Sequence, residues 1–217
     1  MLEREKQRVA AAARRLASEG LVLGSAGNVS ERAGELVAVT PTGAVLERVA
    51  AEDVMVVDLD GTQVEGDLAP TSELGLHLGA YRRFGAGAVV HAHAPMATAL
   101  GCVLDELPVI HYQMLALGGA IRVAPYATFG SPELAQLTLD ALDGRAAALM
   151  SNHGTITIGA DVTGAMDNVL LLEWACTVYW RAATLGTPRV LDSQQLQAVA
   201  DTIADRGYGQ QQQAGSR

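Results

Sequence analysis

The chain has 217 residues, 49% of them hydrophobic and 18% charged, with a formal charge of −9; this suits a folded domain with its own core rather than a disordered or disulfide-stapled chain. The acidic balance excludes the basic face on which nucleic-acid binding depends, and an anionic substrate must be received by a local site of backbone N–H groups, hydroxyls and metal. No apolar stretch reaches membrane-spanning length and the opening residues, MLEREKQR, are charged rather than signal-like, so a soluble, cytoplasmic protein with no membrane partner is expected.

Residues 4–19 have amphipathic helical spacing, with Val9, Ala12, Ala13 and Leu16 on one side and Gly20 as the stop. GSAGNVS (24–30) is read as a glycine-rich turn before strand-like LVAVT (36–40) and the turn PTG (41–43). VMVVDLDG (54–61) is a strand running into an Asp-Gly turn. Thr71 or Ser72 is the expected N-cap of a helix to about Arg83, which puts Glu73 in its first turn. AVVHAHA (88–94) alternates like a strand, and Pro95 opens a short helix. SPEL (131–134) is a helix start, with serine as cap, proline first and glutamate next. AALMSNHGTITIG (147–159) predicts two short strands joined at Asn152–Gly154, and a long helix follows from about Val162 to Leu185. The whole of 1–217 is expected as one α/β domain, with a mobile tail from about residue 207. Cys102 and Cys176, in apolar surroundings and without CxxC spacing, are expected as buried free thiols.

The chemistry concentrates in a few residues. Lys6 is the single lysine and sits in a heavily charged helix, a poor place for Schiff-base chemistry, so any carbonyl chemistry needs a metal as electrophile. His91 and His93 occupy alternate strand positions and emerge on one face, about 6–7 Å apart at Cα. His153, in a tight turn, is the candidate third ligand, and three imidazoles with one labile position fit a catalytic zinc. Core or surface histidines satisfied by hydrogen bonds are the alternative, because sequence separation does not establish convergence. Glu73 is the candidate base or fourth ligand, although the helix macrodipole alone also favours glutamate there. His77, one turn on, is expected to hydrogen-bond to it, and His111 carries no further signal. GSAGN (24–28), TPTG (40–43) and PTS (70–72) offer hydroxyls and amides suited to phosphate.

Taken in order with VVHAHA, PVIHY, APYATFG and NHG, these segments resemble the class II aldolase/adducin family along nearly the whole chain. The resemblance implies a three-layer α/β/α fold with a central, mainly antiparallel sheet, and a homotetramer with active sites between subunits. It implies zinc, or another divalent transition metal, on His91, His93, His153 and Glu73. Gly27, Asn28, Thr42, Gly43, Thr71 and Ser72 are then the phosphate-binding residues. Tyr112, from an adjoining subunit, serves the hydroxyl where the carbon–carbon bond breaks, with Phe129 and Tyr208 on the aldehyde side. The implied reaction is reversible cleavage of a ketose 1-phosphate, such as L-fuculose 1-phosphate, into dihydroxyacetone phosphate and a small aldehyde such as lactaldehyde. A pentulose-phosphate 4-epimerase, a methylthioribulose-phosphate dehydratase and a non-enzymatic adducin-like assembly module are alternatives on the same scaffold. A cupin-like iron dioxygenase, also built on HxH with a further histidine and glutamate, requires an almost helix-free barrel.

Overall fold

In the computed structural model, which describes residues 1–206, the strands are β1 (Asn28–Ala33), β2 (Leu36–Val39), β3 (Met55–Asp58), β4 (Gln63–Glu65), β5 (Ala88–Ala92), β6 (Glu106–Leu107), β7 (Ile121–Ala124), β8 (Ala147–Met150) and β9 (Gly154–Gly159). They form one sheet in the order β4-β3-β2-β1-β5-β9-β8-β7-β6. Every pairing is antiparallel except β7 with β8. The helices are α1 (Glu3–Ser18), α2 (Leu74–Phe84), α3 (Pro95–Gly101), α4 (Pro132–Leu142), α5 (Val162–Leu185) and α6 (Ser193–Arg206).

The two-residue repeat of the strands divides the core into two layers. Ala38, Ala88, Val90, Ala147 and Leu149 join a cluster with residues of α1, α3 and α5. Their strand neighbours Val37, Val39, Val89, Ala148 and Met150 point the other way and pack with α2 and α4. Helices thus cover both faces of a mainly antiparallel sheet, in a three-layer α/β/α arrangement, and the helix-rich chain overturns the cupin alternative.

Local chemistry explains the element ends. Ser131 caps α4 by accepting from the Leu134 N–H at 3.1 Å, and Asp161 caps α5 by accepting from the Gly164 N–H at 2.8 Å. Three expectations need correction. GSAGNVS is a turn only as far as Gly27, and Asn28 already begins β1. Neither Thr71 nor Ser72 caps α2: Glu73 itself is the N-cap residue, because the Thr71 hydroxyl accepts the nearer Glu73 N–H in a short turn (3.3 Å). Cys102 is exposed at the end of α3, and only Cys176 is buried, its thiol pushed up by burial and by Glu173. Lys6 is buried on the core side of α1, but its ammonium is held by Glu65 at 2.9 Å. No helix among the described residues is long and apolar enough to cross a membrane.

Candidate active site

β5 carries the first part of the site. Val89 faces the α2/α4 layer, so His91, two residues on, faces it too, and His93 follows just beyond the strand end. His153 comes from the turn between β8 and β9, where Asn152 takes the left-handed conformation (φ 53°) that asparagine tolerates better than most residues. Gly154 follows it because a Cβ there would lie 2.5 Å from the Ala92 carbonyl oxygen and 3.0 Å from His93 Cδ2. The start of α2 delivers Glu73 from the layer above.

The three imidazoles converge, with ring centroids 4.9–5.1 Å apart and one ligand atom from each within 4.8 Å of the others. His91 Nδ1 donates to the Thr155 carbonyl at 2.9 Å, so its Nε2 presents a lone pair. That lone pair faces His93 Nε2 at 3.0 Å and Glu73 Oε2 at 3.1 Å, while Glu73 Oε1 lies 3.5 Å from His153 Nε2. Glu73 Oε1 is buried and has no hydrogen-bond partner among the described residues. A cation is the one species that all of these lone pairs can share, so the donor set fits a divalent metal.

The electrostatics agree. Burial, reinforced by His91 and His153, lowers His93 to about 4, and burial with His91 lowers His153 as well. Both rings are neutral at physiological pH, as ligation requires. Burial pushes the Glu73 carboxyl up, but His91, the Asn28 N–H, His153 and His77 outweigh it and hold the group below its ordinary value. It stands ionised beside the imidazoles.

Above this cluster opens a cavity of about 350 Å³, lined by Gly27, Asn28, Thr42, Gly43, Thr71, Ser72, Glu73, His93 and His153. Two of its loops are tied together: the Thr42 N–H donates to the Ala69 carbonyl (2.9 Å), the Thr71 N–H to the Thr40 carbonyl (3.1 Å), and Pro41 bridges Pro70. Gly27 needs its missing side chain, since φ is 89° and a Cβ would lie 2.9 Å from the His91 carbonyl oxygen. The Asn28 side chain is turned inward: Nδ2 donates to Glu73 Oε2 at 2.9 Å, and Oδ1 accepts from His77 Nε2 at 2.5 Å. His77 therefore reaches Glu73 through Asn28, not by the direct side-chain bond expected from their spacing. Burial lowers its pKa to about 3, against the opposing pull of Glu73.

Phe129 lines the cavity mouth, joined by Tyr126, which sequence reading passed over although it stands in APYATFG. Tyr112 does not line this cavity; it opens the 3-10 turn Tyr112–Leu117, lies against His111 and is partly exposed. Tyr208 lies outside the described residues. Ser30 and Tyr81, buried beneath His77, were also unforeseen, as a lone serine and tyrosine carry no motif.

The chain is 34% identical over 214 residues to 5-deoxy-D-ribulose 1-phosphate aldolase of Bacillus thuringiensis serovar kurstaki, covering 97% of this chain and 100% of the relative. It is 35% identical over 198 residues to 5-methylthioribulose-1-phosphate/5-deoxyribulose-1-phosphate aldolase of Rhodospirillum rubrum, covering 90% and 89%. A solved L-fuculose 1-phosphate aldolase superposes with a TM-score of 0.88 at 33% identity, covering 92% of this chain and 96% of that one. The family model for the class II aldolase and adducin N-terminal domain matches residues 7–180. The chain belongs to this family, and it is a lyase of the metal-dependent, class II kind.

Proposed function

We propose that the protein is a zinc-dependent, cytoplasmic aldolase that reversibly cleaves a ketose 1-phosphate into dihydroxyacetone phosphate and a small aldehyde. The observation that carries this reading is the meeting of His91, His93, His153 and Glu73 beneath a cavity rimmed by the tied loops of Thr42 and Thr71. Zinc, held by the three histidines with Glu73 beside it, would supply Lewis-acid stabilisation for the negative charge that develops on the three-carbon fragment. Thr42, Gly43, Thr71, Ser72, Gly27 and the remaining Asn28 N–H grip the phosphate, so that binding energy far from the reacting carbon fixes its register. Glu73 exchanges the proton at the nucleophilic carbon through Oε1, the oxygen that no hydrogen bond occupies. Tyr112, outside its own chain's cavity, serves the alkoxide at the site of a neighbouring copy in a homotetramer.

Among ketose 1-phosphates, the exposed rings of Tyr126 and Phe129 at the mouth favour an apolar tail. The two curated relatives are named for 5-deoxy and 5-methylthio pentuloses, whose aldehyde products have such tails. L-fuculose 1-phosphate, giving lactaldehyde, is the second reading, supported by the superposed aldolase. The test is elemental analysis of the purified protein coupled to a screen of ketose 1-phosphates, with released dihydroxyacetone phosphate read by an NADH-linked reductase. Stoichiometric metal with no release from any of the three sugars would overturn the reading.

A further inference from the structure

Beneath Glu73 a chain of hydrogen bonds runs inward through Asn28 to His77, Ser30 and Tyr81, three side chains that have no part in the reaction just described. Asn28 Nδ2 meets Glu73 Oε2 at 2.9 Å, His77 Nε2 meets Asn28 Oδ1 at 2.5 Å, and the Ser30 hydroxyl lies 2.6 Å from His77 Nδ1 and within hydrogen-bond reach of the Tyr81 hydroxyl. Ser30 and His77 are fully buried and Tyr81 is 1% exposed, so water cannot complete these bonds.

The direction of every bond follows from the carboxylate. Ionised Glu73 only accepts, so the amide must turn its NH2 toward it. Asn28 Oδ1 then faces His77, which must donate from Nε2. A neutral imidazole with Nε2–H has a bare Nδ1, so the Ser30 hydroxyl must donate there, and Tyr81 must donate to Ser30. An amide cannot accept a proton at one end and release it at the other, so the chain transmits orientation and no proton. Were the amide reversed, Oδ1 would oppose the carboxylate and Glu73 would lose the one donor that engages Oε2 among the described residues.

We propose that His77, acting through Asn28, is a positioning residue that keeps Glu73 Oε2 engaged and leaves Oε1 as the oxygen that exchanges the proton. This rests on the aldolase reading for its kinetic consequence, but the tautomer it requires does not. The experiment takes the zinc-loaded protein with 15N-labelled histidine and compares native, His77→Leu, His77→Gln and Ser30→Ala chains. The His77 signal, identified by its loss in His77→Leu, is expected as the Nε2–H tautomer; an Nδ1–H tautomer overturns the proposal. His77→Leu is expected to lower kcat by about 10–100-fold, the scale of losing an outer partner of a metal-site group, with KM and zinc content unchanged. His77→Gln, which keeps a donor for Asn28 and an acceptor for Ser30, should restore most of it. Equal loss in both variants, with a matching fall in Tm, marks a merely structural role and refutes the idea. Should His77→Leu fail to fold, Ser30→Ala replaces it: removing the donor to Nδ1 should give mixed tautomers and a partial loss of kcat, and an unchanged spectrum and kcat overturn the proposal. If the native protein cleaves no ketose 1-phosphate, the assigned reaction falls, while the imidazole spectrum still decides the relay.

Discussion

Replacing Gly154 by alanine sets a methyl group against the frame of the histidine cluster. The added Cβ would lie 2.5 Å from the Ala92 carbonyl oxygen, 3.0 Å from His93 Cδ2 and 3.3 Å from His91 Cε1. Carbon pairs are at rest near 3.5–4.0 Å, so the contact with His93 alone is too close by roughly 0.5–1 Å. No ring rotation relieves the contact with the Ala92 carbonyl, so the β5–β9 ladder, in which Ala92 is in register with Thr155, must part and carry His91 and His93 with it. Metal–ligand distances tolerate only about ±0.2 Å, so such a movement breaks the geometry. Overpacking of this kind costs roughly 1–3 kcal/mol of stability, and a disturbed ligand set lowers metal affinity by about 10–100-fold. Competition against a chromophoric zinc chelator measures the affinity, and thermal denaturation of the metal-free protein measures the strain separately. Native affinity in Gly154→Ala, whether or not its Tm falls, would refute this placement of the strain on the ligands.

Three other outcomes are expected. Glu73→Gln keeps the shape of the side chain but removes its basicity, so turnover should fall about 10²–10⁴-fold while zinc remains bound; unchanged turnover in the dihydroxyacetone phosphate assay defeats the proton-transfer role. Thr71→Val removes the hydroxyl that accepts the buried Glu73 N–H, costing about 1–3 kcal/mol in Tm measurements and raising KM for the phosphorylated substrate; a native KM argues against a phosphate contact at Thr71. A maleimide should modify the folded protein once, at Cys102, because burial and Glu173 raise the Cys176 thiol and keep its reactive thiolate unpopulated at neutral pH; rapid addition of two equivalents contradicts that burial.

The site was legible where chemistry and local geometry coincide. Alternate histidines on an apolar strand predict a shared face, and the turn residues around His153 predict a presented side chain; the structure brings all three rings together. β1 was hidden because three of its four buried residues, Asn28, Ser30 and Glu31, are polar. Ser30 is buried for its bonds to His77 and Tyr81, and Glu31 for its bonds to Arg8 and the Val162 N–H at the start of α5, and hydrophobic periodicity cannot register such positions. The cap of α2 was misjudged because the Thr71 hydroxyl has a nearer partner, a choice set by the tie of its backbone to Thr40. The α6 helix was passed over although Leu196, Val199, Ala200 and Ile203 stand at helical spacing.

The clasp between Pro41 and Pro70 separates two tasks inside one cavity. Because the Thr42 and Thr71 loops are fastened to each other by backbone groups, their arrangement is in place before any ligand arrives, so little ordering entropy is lost on binding. The rings of Tyr126 and Phe129 at the cavity mouth are exposed. On the proposed reading, mutations there reshape tail selection without disturbing the loops assigned to the phosphate. If the loops hold phosphate as proposed, such a chain can change its sugar while keeping its anchor.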